Sequence, residues 1–133
     1  MSVTDGKTLK FSDEFTNTTL DSSKWLNYFV GGKRTHEENN ELQLYSDKNV
    51  TISNGVLRIT AKKETNVYNG VTYNYTSGLI RSKYSFTYGY VEAKAQTPKG
   101  VGFWPTIWLL ARSAAITKID KWFKQRVKEL EKL

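Results

Sequence analysis

The period of the hydrophobic pattern changes once along this chain, and that change limits what it can fold into. Up to residue 110 the pattern belongs to strands. Asn49-Val50-Thr51-Ile52-Ser53 leads into Asn54-Gly55 and then Val56-Leu57-Arg58-Ile59. Asn-Gly between β-rich runs is the strongest short hairpin signal, because both turn residues must accept a positive φ. Asn69-Gly70 repeats the signal between a Thr65-Asn66-Val67-Tyr68 run and a Val71-Thr72-Tyr73 run. Residues 80–86 and 88–96 alternate apolar and polar side chains with a period near two. Residues 97–102 read as a loop by their Pro and Gly content. Residues 103–110 read as a strand buried on both faces, with Pro105 marking a bulge or an interrupted ladder.

From Ala111 onward the spacing becomes helical. Ile116, Ile119, Phe123, Val127 and Leu130 stand three and four apart, one apolar stripe of an α-helix. Ser113 is its candidate N-cap, and Lys118, Lys121, Lys124, Arg126 and Lys128 fall mostly on the other face. The expected architecture is therefore mainly β. An antiparallel sandwich or barrel of short strands spans 1–110, and an amphipathic basic helix over 111–133 packs on the open core or on an oligomer interface.

The 133 residues fit one domain. The formal net charge of +7 is unevenly spread: residues 111–133 hold seven Lys/Arg against three Asp/Glu, so the tail contributes +4. Such a tail can attract nucleic acid or an anionic membrane. Its interleaved acids and its apolar stripe favour a solvated helix face instead, so neither nucleic acid nor membrane is expected as a partner. No apolar run reaches the roughly 20 residues of a membrane-spanning helix. Met1 to Gly6 does not read as a secretory signal, and the compartment is left open. The absence of cysteine excludes disulfides, thiol catalysis and thiolate metal sites. His36, the sole histidine, sits in a polar loop without ligand-spaced partners and reads as a surface residue. Asn17-Thr18-Thr19, Asn49-Val50-Thr51 and Asn74-Tyr75-Thr76 match the N-glycosylation sequon. They read as incidental to a Thr-rich strand composition.

Seven blocks carry a resemblance. They are Phe11-Ser12-Asp13-Glu14-Phe15, Leu20-Asp21-Ser22-Ser23-Lys24-Trp25, Asn39-Asn40-Glu41-Leu42-Gln43-Leu44-Tyr45-Ser46, and the stretch from Asn54 to Lys63. They continue with Tyr75-Thr76-Ser77-Gly78-Leu79-Ile80-Arg81, Tyr88-Gly89-Tyr90-Val91-Glu92, and Phe103-Trp104-Pro105-Thr106-Ile107-Trp108 with its flanks. Their order and spacing resemble the N-terminal half of glycoside hydrolase family 16, the laminarinase and β-1,3(-1,4)-glucanase group, from about Thr8 to Leu110. The resemblance implies a jelly-roll-like β-sandwich with a sugar cleft on its concave face. It implies sugar contacts at Arg81 and at Asn40, each against a plainer alternative: a salt-bridged surface arginine, and a turn asparagine capping its own backbone. Trp104 and Trp108, four apart in the expected strand, share one face. They serve either as stacking platforms for sugar rings or as core, with core favoured for one of the two. Tyr28 is a further cleft candidate among Trp25, Tyr45, Tyr88 and Tyr90. Some family members bind Ca²⁺ through backbone carbonyls near Glu14 and Gly55 plus an aspartate of the last strand. That strand is absent here, so no metal or cofactor is expected.

The family places a Glu-x-Asp-x-x-Glu strand after the Trp-Pro block. A retaining glycosidase needs a nucleophile and an acid/base carboxyl about 5–5.5 Å apart, and strand alternation puts such residues on one face. The motif is missing. The nearest string puts Lys118 at the nucleophile position, Asp120 between, and Phe123 at the acid/base position. The expectation is therefore a catalytically inactive β-sandwich scaffold derived from a β-glucanase, of chimeric or engineered origin or else a natural truncated relative. The alternatives are a weak β-glucan-binding module and, less favoured, an active endo-β-1,3-glucanase using Glu41 or Glu92. A β-glucan oligosaccharide and a second copy of the chain are the expected partners. Half a sandwich exposes strand edges and half a core that such a copy can cover.

Overall fold

The computed structural model describes residues 6–110. The chain divides into two compact units, 1–93 and 94–133. The expected helix over 111–133 lies outside the described residues.

In the first unit, eight short strands form four two-stranded ribbons. The two Asn-Gly hairpins form as the sequence dictates. β3 (Val50–Ser53) pairs antiparallel with β4 (Val56–Ile59), and β5 (Asn66–Tyr68) with β6 (Val71–Tyr73). Asn54 and Gly55 take φ of 52° and 70°, and Asn69 and Gly70 take 50° and 77°. Two consecutive positive φ values are what a tight two-residue hairpin turn demands. In β3 the apolar Val50 and Ile52 turn inward while Thr51 and Ser53 face solvent, the period-two burial of a half-covered strand.

The other two ribbons join distant parts of the chain. β1 (Trp25–Leu26) pairs antiparallel with β8 (Arg81–Ser82), Leu26 opposite Arg81. β2 (Gln43–Tyr45) pairs with β7 (Tyr75–Ser77), and this pair is parallel, whereas an all-antiparallel arrangement was expected. Thr76 also bridges Lys62 on its other side, with Lys62 N–H donating to the Thr76 carbonyl at 2.8 Å and Thr76 N–H returning a bond at 2.9 Å.

The centre of the unit sits around this crossing. Leu44 is the one buried apolar side chain among the described residues, 4% exposed. Asn49 and Thr76 are each 1% exposed. Asn49 Nδ2 donates to the Thr60 carbonyl at 2.7 Å and to Thr76 Oγ1 at 2.9 Å, and Thr76 Oγ1 donates to Glu64 at 2.5 Å. This buried polar cluster ties the start of β3, the end of β4 and β7 together through its donors, while Asn49 Oδ1 has no hydrogen-bond partner among the described residues.

Nearer the N-terminus, Asp13 acts as a two-handed anchor. Its carboxylate accepts from Phe15 N–H and from Trp25 Nε1, both at 2.8 Å. The first bond holds Phe15 at φ 52°, an unusual value for an aromatic residue. Trp25 then packs edge-on against Phe11, whose ring stacks on Tyr84 at 5.5 Å. Asp21 closes the next turn by accepting from Ser23 Oγ and Ser23 N–H, and the Ser23 hydroxyl holds its carboxyl below the usual carboxylate range.

The pattern-based strands beyond residue 82 are not formed. Residues 83–110 carry no ladder, and Gly100, Gly102 and Trp104 take φ of 129°, 91° and 41°. Alternation makes a strand available, but a strand exists only where a neighbour takes its N–H and C=O groups. Lys83 N–H still donates to the Lys24 carbonyl at 2.8 Å, but beyond it no such neighbour stands among the described residues. Trp104 and Trp108 accordingly share no strand face, and at 89% and 52% exposure neither is core.

Candidate functional site

The candidate site grows from the β1–β8 ribbon. Pairing of Leu26 with Arg81 carries the arginine alongside the chain that leaves β1. Arg81 Nε donates to the Tyr28 carbonyl at 3.3 Å. Two candidate residues from opposite ends of the first unit are thereby brought together. Arg81 meets a backbone carbonyl here, and among the described residues no carboxylate pairs with it.

A second arginine, absent from the expected set, completes the corner. The Arg34 guanidinium lies over the Tyr28 ring, 5.7 Å from its centre, a cation–π geometry. The same group donates to the Asn27 carbonyl at 3.2 Å and the Tyr45 carbonyl at 3.4 Å, and forms an ion pair with Asp47. Arg34 thus fixes the loop that carries Tyr28. Between them the chain makes a tight 3-10 turn at Val30–Gly32, closed by Phe29 N–H donating to the Lys33 carbonyl at 2.9 Å. Phe29 stands edge-on to both Tyr45 and His36, at 5.2 and 5.3 Å. His36, expected as a plain surface residue, is half-buried against that ring.

β2 supplies a polar row. Glu41, Gln43 and Tyr45 alternate with Leu42 and Leu44, so they share one face. Gln43 Nε2 donates to Glu41 at 3.2 Å and to the Tyr45 hydroxyl at 2.9 Å. Burial, reinforced by the Glu41 charge, pushes the Tyr45 hydroxyl up to about 12. A tyrosine whose folded pKa lies above its unfolded value favours folding fully below pH 10 and loses that contribution as pH rises from 10 towards 12. A base titration followed by tyrosinate absorbance should show a tyrosine ionising at about pH 12, together with loss of tertiary signal. Tyr45→Phe should flatten the pH dependence in that window. Unchanged alkaline behaviour in the variant would refute the assignment.

Asn40 stands at the mouth of this row. It takes the left-handed conformation, φ 54° and ψ 36°, and its N–H donates to the Glu37 carbonyl at 2.9 Å, ending the short 3-10 turn Glu37–Asn39. Its backbone does the work of a turn asparagine and its side chain is exposed. Trp104 and Trp108 belong to the second unit, where both are exposed. The signal for the row was present in the strict alternation of Glu41-Leu42-Gln43-Leu44-Tyr45. Arg34 had no comparable local signal, because its partners are 6 to 13 residues away.

Catalytic carboxylates are not assembled here. Glu41 is held by Gln43, and Glu92 accepts from the Tyr90 hydroxyl at 3.4 Å. Among the described residues no group of three or more His, Asp or Glu could hold a metal. The Glu14 carbonyl does lie close to Gly55, 3.9 Å from where a Cβ would stand. These two stretches fall short of the roughly six to eight oxygens that Ca²⁺ takes, so the residues present do not fit the ion.

Comparison with known proteins gives this geometry a context. The chain is 37% identical over 123 residues to "Glucan endo-1,3-beta-glucosidase A1" of Niallia circulans, which spans 82% of this chain and 18% of that protein. It is 42% identical over 106 residues to "Beta-glucanase" of Rhodothermus marinus, spanning 77% of this chain and 35% of that protein. A crystal structure of LamA from Zobellia galactanivorans, in complex with laminaritriose and laminaritetraose, superposes with a TM-score of 0.54 at 40% identity. That match covers 62% of this chain and 34% of LamA. The chain therefore spans about a third or less of these relatives. The profile of the family described as "Beta-glucan synthesis-associated protein SKN1/KRE6/Sbg1" matches residues 2–115, running past the change of period at Ala111. The chain belongs to this SKN1/KRE6/Sbg1 family and has the mainly β, jelly-roll-type fold of the related family 16 glycoside hydrolases.

Proposed function

We propose that this chain recognises β-glucan weakly and does not itself hydrolyse it. The observation that carries this reading is a pairing of retention and loss. Tyr28 and Arg81 are joined at one corner of the first unit, while the Glu-x-Asp-x-x-Glu motif is missing from the whole sequence. Without a second positioned carboxylate there is no nucleophile and acid/base pair, and a retaining cleavage cannot begin. What remains suits binding. In the first unit Arg81 keeps N–H donors beyond the one spent on Tyr28, Asn40 offers both donor and acceptor, and the Tyr28 ring can stack on the C–H edges of a glucose ring. In the second unit, taken by itself, the exposed faces of Trp104 and Trp108 can do the same. The laminarin oligosaccharides bound by LamA make β-1,3-linked glucose the first ligand to try.

Titration with laminaritetraose, followed by tryptophan fluorescence, should give a Kd of about 1 mM, or roughly −4 kcal/mol. Arg81→Ala should weaken it about tenfold, the scale of one hydrogen bond from a charged donor. No fluorescence change at millimolar ligand would refute the binding. Reducing ends released from laminarin by the pure chain would refute the lack of hydrolysis.

A further inference from the structure

The three sequons are not equivalent once the chain is folded. Asn17, Thr18 and Thr19 are all exposed and lie in a bend outside any strand. Asn49 is 1% exposed, and its Nδ2, the atom that would carry a sugar, donates to the Thr60 carbonyl and to Thr76 Oγ1. Asn74 is exposed, but the hydroxyl that completes its sequon belongs to Thr76, also 1% exposed. That hydroxyl donates to Glu64 and accepts from Asn49. The acceptor amide of one sequon and the recognition hydroxyl of another are thus partners in a single buried hydrogen bond of 2.9 Å.

We propose that the folded chain offers one site for N-linked sugar, Asn17, and that the Asn49 and Asn74 sequons hold each other shut. The modification needs a sugar activated as a diphosphate ester. The anomeric carbon forms a C–N bond to Asn17 Nδ2 while its C–O bond to the diphosphate breaks. The nucleoside diphosphate leaves with the electron pair, and one amide proton goes to solvent. The sugar must reach the nitrogen, and the transferase must read the hydroxyl two residues on. Residues 17–19 meet both needs. The Asn49 sequon fails the first and the Asn74 sequon fails the second, and either opens only if the buried cluster does.

The test uses the full folded chain, a soluble N-glycosyltransferase and UDP-glucose, with peptide mapping by mass spectrometry. Synthetic peptides covering 46–54 and 71–79 report the same sequons without the fold. The expected result is one hexose on the chain, at Asn17, lost in Asn17→Gln. Both peptides should be modified, each about tenfold or more faster than the same asparagine in the chain. Hexose on Asn49 or Asn74 of the folded chain at the peptide's rate would overturn the proposal, as would a bare Asn17. A peptide left bare would show that sequence, not the fold, closes that sequon, and would overturn it equally.

Discussion

Replacing Gly78 with alanine should cost about 2–3 kcal/mol, near the upper end for an overpacked core position. The reason is space. A Cβ at Gly78 would lie 2.8 Å from Val50 Cγ2, 2.9 Å from the Asn49 carbonyl and 3.1 Å from Ile59 Cγ2. One of those neighbours is backbone, and the others belong to the first and last residues of a single hairpin, so relief means moving the hairpin. Gly78 is itself buried, just after β7. A urea melt followed by tryptophan fluorescence should show a lower midpoint at unchanged slope. Gly55→Ala is a suitable control. Its nearest neighbour is 3.9 Å away, and its cost is only that of alanine at positive φ. An unchanged midpoint in Gly78→Ala would mean that the hairpin is not held against β7.

Asn49→Ala should be as damaging, by about 2–4 kcal/mol, through a different cause. It deletes both Nδ2 donors and leaves the Thr60 carbonyl and the Thr76 hydroxyl short of a partner inside the unit. Asn49→Leu should not rescue it, because the cluster lacks donors rather than volume. Asn49→Asp should be worse near neutral pH. It adds a carboxylate where Thr76 already serves Glu64, and part of the loss should return on acidification as the new carboxyl takes up a proton. Equal stability of the Leu and wild-type chains would show the cluster to be dispensable. Against a typical domain stability of about 5–15 kcal/mol, either effect is large.

The hairpins were legible in the sequence because their instructions are local. Asn54-Gly55 and Asn69-Gly70 fix both turn and register within a few residues. The β1–β8 and β2–β7 pairs were not legible, since nothing within Trp25–Leu26 or Gln43–Tyr45 names its partner. Residues 83–110 show the opposite failure: the alternation is there and the ladder is not. Of the candidate site, Arg81 and Tyr28 were expected through the resemblance, and the structure adds the hydrogen bond between them and the Arg34 anchor. Asn49 escaped notice as a structural residue, because a lone asparagine in a strand-rich run carries no mark of burial.

The parallel β2–β7 pair also sets an order of events in time. Both hairpins lie, in sequence, between its two strands. A hairpin closes in about 1–10 μs, whereas a pairing between distant strands must first overcome the entropy of its intervening loop. Once β3–β4 and β5–β6 have formed, much of that loop is already ordered and the effective span is shorter. The two Asn-Gly turns then act as accelerators for this long-range contact. A substitution in either turn should slow refolding even where its equilibrium effect is small.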